Sequence, residues 1–158
     1  MSNTQAMCTS FLKELMTATH NFGTAPTRGT SAADTFKAAL YLASATINAS
    51  TTAYTVTGEV SGTGYSAGGV TVTNGTPPSS TNTSATAGTG YWTPSASITY
   101  TSVTLTTAFD TVLIYNSTQS NKAVSVHTFG SQTITAGTFT LTMPANTTST
   151  ALLRLATT

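Results

Sequence analysis

Four carboxylates, two imidazoles and one thiol are the groups in this chain best suited to acid–base, nucleophilic or metal chemistry: Glu14, Asp34, Glu59, Asp110, His20, His127 and Cys8. A glycosidase needs two carboxyl groups about 5 to 10 Å apart, and any two of Asp34, Glu59 and Asp110 can meet in a folded sheet. The competing reading, which we prefer, makes each a solvated turn or strand-edge residue. Asp34 and Asp110 both directly precede predicted strands, as turn residues do. Ser125, His127 and Phe129 share one face of a predicted strand, so a Ser–His–Asp arrangement with Ser125 or Asp110 can be drawn. The Gly-x-Ser-x-Gly turn that would hold such a nucleophile is absent. His20 ends the N-terminal helical stretch and is expected to meet its last carbonyls. Cys8 stands alone, which rules out an intramolecular disulfide and any C-x-x-C motif. No pair of these groups has the spacing of a catalytic or metal motif, so no catalytic, cofactor or metal site is expected and the chain is not read as an enzyme.

Two weaker constellations remain. Gly62-x-Gly64 and Gly68-Gly69 resemble fragments of a phosphate loop, but no Lys-Ser/Thr follows and no helix begins there, so they read as turns. Tyr65, Tyr91, Trp92 and Tyr100 are flanked by Gly and Thr, as aromatics on sugar-binding surfaces often are. Ordinary core packing is the competing reading, and burial of Trp92 decides between them.

Composition narrows the classes further. Only 6% of the 158 residues are charged, against about 25% in an average soluble domain, while a quarter of the positions are Thr. Five cations cannot draw the basic stripe that phosphate binding demands, so nucleic acid is not an expected partner. No stretch approaches the ~20 apolar residues that span a bilayer, and no basic-then-apolar leader opens the sequence. Five Asn-x-Ser/Thr triplets, at Asn48, Asn74, Asn82, Asn116 and Asn146, are what a Thr-rich chain generates by chance. A formal charge of +1 leaves little repulsion between copies, and self-association follows as an expectation.

The elements that must position these residues are mostly strands. Residues 5 to 20 are the exception: Cys8, Phe11, Leu12, Leu15 and Met16 recur at three- and four-residue spacing and predict a helix, closed by a Gly23 C-cap. That helix either packs on its own domain or docks on a neighbour through Phe11, Leu12, Leu15 and Met16, with 24–33 as a tether. From Asp34 the period changes to two, with Phe36, Ala38, Leu40 and Leu42 on one face. Tyr54 to Val60 alternates likewise, and Gly68-Gly69 offers a turn into Val70-Thr71-Val72. Residues 73–90 hold little but Thr, Ser, Asn, Gly, Ala and Pro and predict a long exposed loop. Short strands follow at 91–92, 98–100, 103–105, 111–115, 123–127, 138–143 and 151–156, with 116–121 as a hairpin loop. Eight or so short strands without intervening helices predict an all-β fold, a β-sandwich or jelly roll with one short N-terminal helix. Residues 1–33 would form the helix and tether, and 34–158 the β domain.

Several of these segments together resemble a family of small tailed-bacteriophage virion proteins. The resemblance lies in Cys8-Thr-Ser-Phe-Leu-Lys-Glu-Leu-Met-Thr-Ala-Thr-His-Asn-Phe22, Asp34-Thr-Phe-Lys-Ala-Ala-Leu-Tyr41 and Glu59-Val-Ser-Gly-Thr-Gly-Tyr-Ser-Ala-Gly-Gly69. Leu113-Ile-Tyr-Asn116, Asn121-Lys-Ala-Val124 and Ala151-Leu-Leu-Arg-Leu-Ala156 extend it over most of the chain. It implies a structural role in the virion and no transferable catalytic residue. The expectation is a capsid decoration, or cement, protein on the outside of the head, self-associated as a homotrimer and touching the major capsid protein. The alternatives are a tail, connector or fibre-tip component, which includes binding of host-surface glycan, and an enzyme acting on that glycan.

Overall fold

Two runs of the chain set the architecture, because their side chains are buried on both faces and demand cover on each. Phe36–Leu42 (β2) is one, and the end of Ile98–Asn116 (β6), from Thr111 onward, is the other. They pair antiparallel, with Ala39 opposite Leu113. The structure is a computed structural model, and residues 3–16, 18–22, 32–81 and 88–157 are described. The remaining strands are Ala6–Met7 (β1), Val70–Thr71 (β3), Ser79–Ser80 (β4), Thr89–Trp92 (β5), Lys122–Leu141 (β7) and Leu153–Ala156 (β8). The one described helix is Thr9–Met16 (α1). They form two antiparallel sheets, a five-stranded one ordered β1-β7-β6-β2-β3 and a three-stranded one ordered β4-β5-β8. The all-β expectation with a single short helix therefore holds.

Aromatic rings join the two sheets. Trp92, at the end of β5, lies 4.7 Å from the ring of Phe22 and 6.1 Å from that of Phe36, and Phe22 stacks on Phe36 at 4.4 Å. The helix shares this core: Cys8 is fully buried and Phe11 is 2% exposed, both in the cluster that holds Phe36, Leu113 and Val124. The helix and the β domain, separated at 33/34 in the sequence reading, thus have one continuous core.

Several element boundaries differ from expectation, each for a backbone reason. The helix is eight residues, not 5 to 20, because Ala6 and Met7 instead pair with Val126 and Ser125 of β7. It ends at Met16, and Ala18 just beyond it adopts φ 53°. The Thr19 N–H reaches the Glu14 carbonyl and the Ala18 N–H the Leu15 carbonyl, the paired bonds of a Schellman C-cap. Gly23, expected to cap the helix, lies outside the described residues, as does most of the expected tether. The segments 98–100, 103–105 and 111–115 are one 19-residue strand, continuous through bulges, and its partner β7 runs 20 residues through Gly130 and Gly137. The Thr-rich alternation persists where turn residues seemed to break it. Tyr54 to Val60 forms no strand. It crosses the end of β2 through Gly58 and Val60 backbone bonds to Leu42 and Leu40. Within the expected loop 73–90, Ser79–Ser80 pairs with Gly90 and Tyr91, and residues 82–87 lie outside the described residues.

Candidate functional site

Each of the four carboxylates is held by specific donors, including Asp34, Glu59 and Asp110, which the sequence reading made solvated. Glu14 is 8% exposed, on α1. Its Oε1 accepts from Lys122 Nζ at 2.7 Å and its Oε2 lies 2.8 Å from His20 Nε2. Burial pushes the Glu14 carboxyl up, but the hydrogen bonds from Lys122 and His20 together outweigh it and hold the group below the usual carboxylate range. His20 therefore serves Glu14 rather than the last carbonyls of the helix. The Asn116 amide donates to His20 Nδ1 at 3.0 Å and to Asp34 Oδ2 at 2.7 Å, which places the imidazole proton on Nε2, facing Glu14. Asp34 is 7% exposed and also accepts from the Asn21 N–H at 2.9 Å and from Gln119 Nε2 at 3.1 Å. One chain of bonds, Glu14–His20–Asn116–Asp34, thus ties α1 to the head of β2 and to the β6–β7 turn.

Glu59 sits in a second, tyrosine-lined network. Tyr54 Oη–H donates to its Oε2 at 2.6 Å, and Tyr65 Oη–H and the Gly68 N–H donate to its Oε1 at 2.7 and 2.8 Å. Burial first, and then the Glu59 charge, push both tyrosine hydroxyls well above their ordinary range, so they stay protonated donors. Tyr115 Oη–H closes the loop onto the Gly68 carbonyl at 2.8 Å. Next to it Gly69 has φ 69° and packs so closely on the Ala38 carbonyl that no Cβ fits. The two glycines are turn residues, as expected, and the turn carries the Glu59 anchor. Asp110 Oδ1 accepts from Asn3 Nδ2 at 2.8 Å and from Thr111 Oγ1 at 2.7 Å. It pins the N-terminal segment to β6 and takes no part in a triad.

Ser125 and His127 do come together. Ser125 Oγ lies 2.9 Å from His127 Nε2, on the wall of an open cleft of about 470 Å³ that Arg154, Gln5 and Thr148 also line. Ser125 is 1% exposed, and burial lowers the imidazole to about 4, so His127 is neutral at pH 7 and a weak base. Burial, with Glu14 adding to it, raises the Cys8 thiol to about 12, which leaves almost no thiolate at neutral pH.

The aromatic question is settled in favour of packing for two of its members. Trp92 is 3% exposed and donates from Nε1 to the Thr76 carbonyl at 3.0 Å, and Tyr100 is 2% exposed and donates to the Ala38 carbonyl at 2.9 Å. Of the four candidate contact residues on the helix, Phe11 is in the core and Leu15 packs partly against it, both lining an apolar cleft of about 150 Å³ with Tyr91 and Leu155. Leu12 and Met16 face outward, 44% and 83% exposed.

Sequence reasoning missed the Glu14–His20–Lys122 trio. The six-residue spacing of Glu14 and His20 across a helix end was a usable signal, whereas Lys122 arrives only through the tertiary fold. No protein-family model, curated protein or solved structure matches the chain.

Proposed function

We propose that the protein is a structural component of a tailed-bacteriophage virion, a decoration or cement protein that sits on the outside of the head and stabilises the shell through protein–protein contacts. It would be made in the host cytoplasm and would bind the major capsid protein or another virion protein. The observation that carries this reading is where the scarce charge goes. All four carboxylates hold loops and the terminal helix onto the sheets, so the ionisable groups act as fasteners. The outward positions of β6 and β7 are meanwhile covered by Thr, Ser, Ala and Gly, which suits a rigid body meant to lie against other proteins. The resemblance of the segments quoted above points to the same role.

The test is to label the C-terminus with a heavy-atom tag and image particles by electron microscopy. The expected result is label spread over the head in hundreds of copies. A few copies confined to the tail would move the protein to the tail or connector, and particles free of label would end the virion reading.

A further inference from the structure

We infer that the outer edge of β7 at its C-terminal end, from Gly137 to Leu141, is a pairing surface for a second copy of this chain, centred on Phe139. Beyond Val126, where β1 stops, the only strand beside β7 among the described residues is β6. The opposite edge of β7 therefore carries its backbone N–H and C=O groups without a ladder, and an open edge of that kind is a template for another strand. Gln132 Nε2 reaches the Gly130 carbonyl and the Ala136 N–H turns back to Thr104 Oγ1, which among the described residues leaves the rest of the segment uncapped by side chains.

Two of the devices that normally blunt such an edge, charge and proline, are missing. Residues 128–143 include no Lys, Arg, Asp, Glu, His or Pro. An edge with no charge repels no copy of itself, and this is what selects a second copy over a charged partner. Bulges distort the ladder between Tyr100 and Thr111, but Phe139, Thr140 and Leu141 pair with Tyr100, Thr99 and Ile98 in unbroken register. That end offers the straight stretch on which a strand can add. Antiparallel addition about a two-fold axis at Phe139 sets Thr138 of one copy opposite Thr140 of the other, a favourable hydroxyl pair. The product is an isologous dimer, in place of the trimer expected from the sequence.

Sedimentation of the full chain over a range of concentrations, with amide hydrogen exchange on the same samples, tests the inference. A monomer–dimer equilibrium is expected, with amides of 137–141 slowed in the dimer. Thr138→Lys/Thr140→Lys and Thr138→Glu/Thr140→Glu, at exposed positions, should each weaken dimerisation by at least about tenfold through like-charge contact, and mixing the two should restore a dimer. A monomer at every concentration overturns the inference, as does an oligomer whose protection lies elsewhere, such as on Leu12 and Met16. If a charged variant fails to fold, the exchange map of the unmodified chain decides alone. The outcome is separable from the virion reading: a dimer absent from particles sinks only that reading, and a monomer found on particles sinks only this one.

Discussion

At the scale of single residues, Glu59 shows what a tightly held carboxylate is worth. Three donors converge on its two oxygens, and two of them are half-buried tyrosine hydroxyls with a charge-assisted bond. Glu59→Gln keeps the shape but removes the charge and presents an amide to one tyrosine. We expect it to cost about 1–3 kcal/mol, well outside the ±0.5 kcal/mol of an ordinary surface change. Urea denaturation of the two proteins measures the difference, and equal midpoints would contradict the assignment.

His127 gives a pH dependence with a definite sign. Its folded-state pKa is about 4 against an ordinary 6.5, with burial as the cause, so between those values the unfolded chain binds more protons. Stability is then complete above pH 6.5 and falls as the pH drops toward 4, by at most about 1.4 kcal/mol per pH unit. Glu14, held below the usual carboxylate range, adds to the loss as the pH falls through its ordinary value of 4.5 toward its lower folded-state value. Melting temperature should therefore decline from pH 6.5 to 4 in the native protein and much less in His127→Gln, which lacks the titrating group. A decline of the same size in both would assign the effect elsewhere.

At the scale of elements, the helix is the informative one. Its C-cap places Ala18 at φ 53°, a conformation that costs a residue with a Cβ about 1–2 kcal/mol and glycine almost nothing. Ala18→Gly should stabilise the protein by a few tenths to about 1 kcal/mol, once the larger unfolded-state entropy of glycine is subtracted. A rise in melting temperature checks it, and a fall would mean that the Ala18 methyl group packs usefully. Removal of residues 1–22 is expected to abolish cooperative melting, followed by circular dichroism. Cys8, Phe11 and Phe22 belong to the shared core and each large side chain contributes about 1.5–3 kcal/mol, while β1 pairs with β7. A truncated chain with an intact melt would show that the β framework stands alone.

Legibility also varied by element. The strands at 36–42 and 111–115 were plain in the sequence, but the period-two reading of 36–42 gave it one buried face where the structure covers both. The length of β6 and β7 was not, since Ser102 and Ala136 take left-handed backbone angles inside bulges, and a period-two pattern slips wherever a residue is inserted. The carboxylate anchors were hidden for a different reason. Asp34 meets Asn116 and Gln119 from 82 and 85 residues away, and no local spacing records such a contact.

At the scale of the whole molecule, two sheets and a helix meet at one aromatic joint, and its tryptophan is the only one in the chain. Trp92 is enclosed by Phe22 and Phe36 and ties its indole N–H to the Thr76 carbonyl. The molecule therefore carries a single optical reporter at the seam between its parts. Intrinsic fluorescence should be emitted from an apolar setting in the native state and shift to the red when the small sheet or the helix leaves the seam, even while the β6–β7 hairpin keeps its far-ultraviolet signal. Comparing the two signals during unfolding reads out whether the seam opens before the sheets dissolve, without any label being added.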